Sequence, residues 1–472
     1  MAVTANGMPT KEFFINMLTR DIALNDAILD LLDNCLDGVV RQKGVDGKKE
    51  DKNYYKGYSA SITISKDSFC IQDNCGGIPR DVAEKNAFRM GRTSTTGDGL
   101  PTVGIYGIGM KRAIFKLGKV ARVRTKNAGK AYCVKIEKEW AEDADHWEFP
   151  IDELDEKDIP FEGTSVEVTE LNSIIQNQWN TEEKLKYFVE TLTTAIKTSY
   201  SLIIQKGFEI RINDKIIQAN PVELLVSTGE KGIKPYIFEK TYGSVSVSLI
   251  VGFYAPTPSE EELDDGTEGR RRSEDAGWTI VCNDRVVLYN DKTHLTGWGE
   301  AGVPSYHTQF IGIKGIVTFE STNPEELPMT TTKRGVDLSS SIYADVKNKM
   351  RDGLKTFTQY TNVWKGRISE ERTHSKEAQS IPYTKILEAD DAFRESYGIK
   401  AKKYAGAIVF KPELPKPKQD KPYVIIRYSK PREDVITLHE FFYKDNSLPL
   451  NPSEIGAKCF DILLEQSKEQ KG

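Results

Sequence analysis

The chain has 472 residues, of which 38% are hydrophobic, 10% aromatic and 29% charged. That is a globular profile, which excludes collagen-like, disordered and membrane-embedded classes. Lys and Arg number 65 against 70 Asp and Glu, a net charge of −5, so a nucleic-acid contact would have to come from a local patch rather than from a global positive field. Residues 10 to 43 read as helical, with Thr10 and Asp21 as caps. Leu24, Ala27, Ile28, Leu31, Leu32, Cys35, Leu36, Val39 and Val40 are spaced by threes and fours along one face. Short strand-like runs follow at 61–65 (SITIS) and 68–72 (SFCIQ), and GRTSTTGDGLP at 91–101 has the composition of a flexible loop. A second helix is predicted to start near Gly109, with strands around 121–125, 132–136 and 165–169, so the first 175 residues read as α+β.

Residues 181–203 predict another helix, and FEIRINDKII at 208–217 a hairpin turning at Asn213-Asp214, near where a second domain is expected to begin. The stretch 256–277 is acidic, then carries Arg270, Arg271 and Arg272, and offers little to bury. After it come strand-like WTIVCNDRVVLY and IGIKGIVTF, then a helix near 341–366. Further on, YAGAIVF and YVIIRY flank KPELPKPKQDKP, which suits either an extended connector or a stiff hairpin tip. The final helix is well signalled. Asn451 is its N-cap, Pro452 and Glu454 stand in its first turn, and Ile455, Cys459, Phe460, Leu463 and Leu464 share one face. About 150 residues per domain gives roughly three domains. The six cysteines and five histidines are scattered without CxxC or metal-type spacing. No apolar run reaches the ~20 residues of a membrane span and the first residues lack a signal-peptide core, so a cytoplasmic location without membrane contact is expected.

Three elements carry chemistry. Asp26, Asp30, Asp33 and Asp37 follow at spacings of 4, 3 and 4 with Asn34 among them. Like charges at these spacings each cost roughly 0.2–0.5 kcal/mol in an isolated helix, and a bound cation would relieve them; Mg²⁺, which takes a few protein oxygens together with phosphates and waters, suits such a face. Asp73-Asn74-Cys75-Gly76-Gly77-Ile78-Pro79 closes a strand, where glycine lets a ligand approach the backbone and an aspartate can accept from an exocyclic amine. Gly104-Ile105-Tyr106-Gly107-Ile108-Gly109-Met110-Lys111 leads into a helix, an arrangement that offers backbone N–H groups to phosphates. Its GxxGxG order is neither a P-loop nor a Rossmann fingerprint.

In this order, the set resembles the GHKL ATPases, the superfamily of DNA gyrase B, ninety-kilodalton heat-shock chaperones, MutL, MORC proteins and sensor histidine kinases. The resemblance covers residues 10 to 175. It implies an α+β chain with a Bergerat-fold ATP-binding domain at 1–178 that includes an N-terminal dimerisation segment. A transducer-like α/β domain would span 179–368 and a small α+β C-terminal domain of unknown role 369–472. ILDLLDN looks like the first box, in which Asn34 would hold Mg²⁺, Asp37 would lie at the nucleotide, and Asp30 would activate water. IQDNCGGI resembles the second box, with Asp73 accepting from adenine and Gly77 and Ile78 beside the ring. Ser94 would belong to the ATP lid. GIYGIGMK resembles the third box, placing Gly104, Gly107, Ile108, Gly109, Met110 and Lys111 near the phosphates, and EGTSVEV fits the strand in which Thr164 supports the adenine end. One departure matters. The superfamily's usual base is Glu, and Asp30 is shorter by one methylene, so nucleotide binding is a firmer expectation than hydrolysis.

ELPMTTTKRGVDLSS resembles the transducer loop that sends a lysine to the γ-phosphate, so Lys333 is the expected sensor, acting by charge. The short lead before Thr10 carries no phosphoacceptor histidine, so the sensor-kinase subclass is not expected, and the chain looks most similar to the MORC-like branch, whose prokaryotic members sit beside DNA-defence genes. The resemblance implies a slow ATPase that uses ATP and Mg²⁺. ATP would close the lid and drive homodimerisation through Met1–Arg20, with a protein partner reached through the C-terminal domain and DNA an open candidate client. The alternative is a nucleotide-gated scaffold that scarcely hydrolyses ATP and recruits an effector.

Overall fold

The structure is a computed structural model; residues 10–44, 51–91, 107–143, 146–219, 221–229, 231–257, 274–330, 332–417, 429–443 and 452–469 are described. Internal packing divides the chain into two units, Met1–Pro417 and Lys418–Gly472.

The helical periodicity across 10–43 resolves into α1 (Lys11–Arg20) and α2 (Leu24–Lys43). Thr10 caps α1 by accepting from the Phe13 amide at 3.2 Å. Asp21 sits between the helices, and α2 starts after Ala23 without a side-chain cap; buried Ile22 and Leu24 anchor its entry instead. Strands β1 (Ser59–Ile64) and β2 (Phe69–Asp73), the short turn α3 (Arg80–Val82) and α4 (Gly109–Leu117) follow. Then come β3 (Gly118–Asn127), β4 (Lys130–Ile136), β5 (Ile151–Glu153), β6 (Gly163–Leu171), β7 (Glu209–Ile212) and β8 (Lys215–Ile216). These strands build one sheet in the order β5-β4-β3-β6-β2-β1-β7-β8.

Period-two alternation turns Ile62, Ile71, Val123, Val166 and Val168 into one buried face, where they share a core with Ile28, Leu32 and Leu36 of α2 and Ile114 of α4. The strand register brings Ala60 opposite Asp73 and Thr125 opposite Thr164, a polar end to that otherwise apolar face.

The run 181–203 breaks at Tyr200. After α5 (Ser173–Trp179) come α6 (Glu182–Ser199) and α7 (Ser201–Gln205). The Asn213-Asp214 hairpin forms, both residues having positive φ (44° and 66°) as a primed turn requires. It belongs to the first sheet, because β7 pairs in parallel with β1.

A second sheet runs β13-β12-β14-β11-β10-β17-β16. It is built from β10 (Tyr236–Tyr242), β11 (Val245–Phe253), β12 (Gly277–Cys282), β13 (Arg285–Asp291), β14 (Ile313–Glu320), β16 (Lys402–Tyr404) and β17 (Ala407–Phe410). WTIVCNDRVVLY is therefore a hairpin rather than one strand, turning at Asn283 and Asp284 with positive φ. The helix α8 (Ser341–Val363) lies on this sheet, Gly353 so close to β11 that a Cβ would come 2.4 Å from Val251. The strands β16 and β17 complete the second sheet's edge, and β15 (Gln379–Pro382) pairs with β9 (Glu223–Val226) in a separate two-stranded sheet.

In the second unit, α12 (Arg432–Phe442) and α13 (Pro452–Glu469) are described, following the short helices α9 (Ile368–Lys376), α10 (Tyr383–Leu387) and α11 (Asp391–Ser396) of the first unit. His439 and Ile455 are buried. The face expected inward on α13 is otherwise open: Phe460 is 52% and Leu463 65% exposed, while Cys459 is half-buried. Asn451, YVIIRY and Arg270 to Arg272 lie outside the described residues. Among the described residues no helix is long and apolar enough to cross a membrane.

Candidate functional site

A cavity of about 310 Å³ lies between α2, the end of β2 and the start of α4. Asp30, Asn34, Asp37, Asp73, Gly77, Ile78, Gly107, Ile108, Gly109, Met110, Lys111, Thr164 and Lys333 all line it. Residues from more than 300 positions of sequence thus meet at one wall. Ser94 and Gly104 lie outside the described residues.

At one end, Asp73 Oδ1 accepts from the Cys75 amide at 2.8 Å and from the Thr164 amide at 3.3 Å. Burial pushes the Asp73 carboxyl above its usual value despite these bonds. The Thr125 hydroxyl lies 3.2 Å from that of Thr164 and accepts from the Ile78 amide at 2.8 Å, tying the glycine turn to the sheet. Gly77, at φ +67°, leaves no room for a side chain, since a Cβ would lie 2.1 Å from the Lys126 carbonyl. Gly163 is equally enclosed, its Cβ position 2.0 Å from the Asp73 carbonyl. This end is a rigid polar notch in an apolar wall, suited to a flat ring with an exocyclic donor.

The other end is charged. Asp33 is fully enclosed: its Oδ1 accepts from Arg285 Nε at 3.0 Å and Tyr200 Oη at 2.7 Å, and its Oδ2 accepts from Lys333 Nζ at 2.7 Å. Burial alone would raise its carboxyl, but the charges of Lys333 and Arg285 and the hydrogen bonds hold it below the ordinary value. Burial likewise opposes the charge on Lys333, and Asp33 and Asp30 outweigh it, raising the ammonium above its usual value. Lys333 Nζ also stands 3.5 Å from Asp30 Oδ1, while Arg112 pairs with Asp30 Oδ2. Next to Lys333, Arg334 pairs with Asp26. The like-charge penalty of the aspartate face is therefore relieved by basic side chains from distant segments. Lys111 is turned away from the opening, donating to the carbonyls of Ala87, at 2.8 Å, and Gly107.

Arg285, Tyr200 and Arg112 were not legible as site residues. Arg285 comes from the β12–β13 turn, its guanidinium 4.4 Å from the Tyr200 ring centre, while neighbouring Asp284 takes Lys206 at 2.8 Å and Tyr55 at 3.1 Å. The one local sign was the Asn-Asp pair at 283–284, which repeats the turn chemistry of 213–214.

Asn34 is exposed on a helix whose neighbouring positions 31–33 and 35–40 are buried, so its amide faces the cavity opening. Among the described residues no cluster of three or more His, Cys, Asp or Glu could hold a metal ion. One amide oxygen with Asp30 and Asp33 already paired fits a Mg²⁺ that takes its other ligands from phosphates and water, and does not fit an all-protein metal cage.

The family of histidine kinase-, DNA gyrase B- and HSP90-like ATPases matches residues 22–173, the segment that carries α2, β2, α4 and β6. No curated protein matches the chain. The described architecture is mixed α and β, and that segment supplies six of the eight strands of the first sheet. Over residues 22–173 the chain carries a domain of the GHKL superfamily of ATPases.

Proposed function

We propose that the protein binds Mg-ATP in this cavity and uses nucleotide state as a conformational switch. The observation that carries this reading is Lys333, which reaches the cavity from beyond the matched domain and rests on the aspartates of α2. A terminal phosphate would compete with Asp33 and Asp30 for that ammonium, so nucleotide binding would reset the contact between the two sheets. Asp73 with Thr164 would hold the adenine, and the first turn of α4 the phosphates. Mg²⁺ held at Asn34 would supply charge neutralisation of the phosphates. The exposed Phe13 and Met17 of α1 support dimerisation through the N-terminal segment, and the exposed Phe441 and Leu463 support a protein partner for the second unit.

A second reading, a scaffold with little hydrolysis, is favoured by Asp30. Both its oxygens stand near cations, and the short side chain limits its reach to a water. Light scattering with no nucleotide, with ADP and with a nonhydrolysable ATP analogue tests the switch, with phosphate release from ATP followed in parallel. A doubled mass with the analogue alone supports it, and release faster than background separates the ATPase from the scaffold. An unchanged mass in all three states rejects nucleotide-driven dimerisation.

A further inference from the structure

Arg112 stands on the first turn of α4 and lines the cavity, with a side chain only 12% exposed. One terminal nitrogen pairs with Asp30 Oδ2, and its buried Nε has no hydrogen-bond partner among the described residues. A guanidinium is a planar fork of five donors, matched to carboxylate or phosphate in pairs of bonds. Asp30 cannot complete that match, because its other oxygen is turned toward Lys333 at 3.5 Å. The fork is thus only partly used, and its idle Nε is buried on a side chain that lines the cavity.

The neighbouring backbone says what could complete it. A Cβ on Gly109 would come 3.3 Å from that of Asp30, so the start of α4 touches α2 at this carboxylate. A phosphate held by the α4 amides would lie within one helical turn of Arg112. Phosphate oxygens offer the paired acceptors that Asp30 does not.

We infer that Arg112 recognises the terminal phosphate of a nucleoside triphosphate, exchanging Asp30 for that phosphate and releasing the carboxylate as it moves. The inference rests on the reading of this cavity as the nucleotide site. It makes Arg112 a group that distinguishes triphosphate from diphosphate: a diphosphate stops short of Asp30 and leaves the Arg112–Asp30 pair in place.

Calorimetric titration of the full chain with Mg²⁺ and either ADP or a nonhydrolysable ATP analogue tests this, comparing wild type with Arg112→Met and Arg112→Lys. The expected result is an analogue affinity about tenfold or more weaker in Arg112→Met with ADP affinity within about threefold of wild type. Arg112→Lys keeps the charge beside Asp30 and loses the fork, so it should show the same selective loss at smaller size; it carries the comparison if Arg112→Met does not fold. Analogue and ADP affinities that stay at wild-type values in either folded variant, or that fall equally, overturn the inference. Wild-type protein that binds neither nucleotide overturns the site reading itself, whereas wild-type binding that is insensitive to Arg112 overturns this inference alone.

Discussion

Lys333 Nζ lies 2.7 Å from Asp33 Oδ2, although 300 residues of sequence separate them. Lys333 holds φ +56° at this position, a left-handed conformation that a non-glycine residue adopts at a cost of order 1–3 kcal/mol. The surrounding contacts, Arg334 on Asp26 among them, stabilise the loop in that shape. Lys333→Met should leave Asp33 paired with Arg285 and Tyr200, so the fold survives with a loss of roughly 1–3 kcal/mol. Urea unfolding checks the stability, and binding of an ATP analogue should weaken about tenfold. A variant that binds the analogue as wild type does would show that the lysine has no part at the phosphate.

Asp33 sets a pH dependence. Burial raises its carboxyl, but the Lys333 and Arg285 charges bring the folded value below the ordinary 3.8. A depressed carboxylate contributes stability that is fully present above its unfolded value and is lost as pH falls through the folded one. Denaturant midpoints should therefore hold near neutral pH and drop below about pH 4, with Asp33→Asn lower at pH 7 and flatter in acid. Arg285→Met leaves the enclosed carboxylate with Lys333 as its one close cation beside the Tyr200 hydroxyl, and should cost roughly 3–5 kcal/mol. A change below 1 kcal/mol in urea titration would contradict the geometry of the β12–β13 turn.

Lys314 on β14 is 5% exposed, with its ammonium 5.5 Å from the Tyr254 ring centre and 5.8 Å from that of Tyr289. Burial lowers its value from 10.5 to about 8. The sign is opposite to that of Asp33: the cost of the buried charge is fully present below pH 8 and is relieved as pH rises toward 10.5. Lys314→Met should be more stable than wild type at pH 7, by roughly 1–3 kcal/mol, with the advantage shrinking above pH 8. Denaturant unfolding at several pH values decides it, and a destabilised variant at pH 7 would refute the assignment.

Gly77→Ala forces a Cβ to within 2.1 Å of the Lys126 carbonyl at φ +67°. The strand-end turn must shift, at roughly 2–4 kcal/mol, and adenine-nucleotide binding should fall with it. A melting temperature within a degree of wild type would show that the turn is looser than described.

Elements governed by local chemistry were legible: the Thr10 cap, the start of α4 at Gly109, the Asn213-Asp214 turn and the aspartate face of α2 each follow from residues within a few positions of one another. The partners of that face were not. Arg112, Arg285 and Tyr200 reach Asp30 and Asp33 only through tertiary packing, and nothing in their own neighbourhoods marks them as ligands of α2. The same limit explains α13, whose apolar periodicity signals a helix but does not supply a surface to cover Phe460 and Leu463. It also explains β7, which reads as a local hairpin while its place beside β1 depends on a parallel pairing 150 residues away.

The proposed function stands on adenine recognition at Asp73. Calorimetric titration of Mg-ATP analogue into wild type and Asp73→Asn checks this, because the amide keeps the shape of the notch and replaces an acceptor oxygen by a donor. Wild type should bind, with an affinity weaker by about one to two orders of magnitude in the variant, as expected for ~1–3 kcal/mol of lost hydrogen bonding, and with the fold retained by circular dichroism. Equal affinity in the two proteins would contradict it.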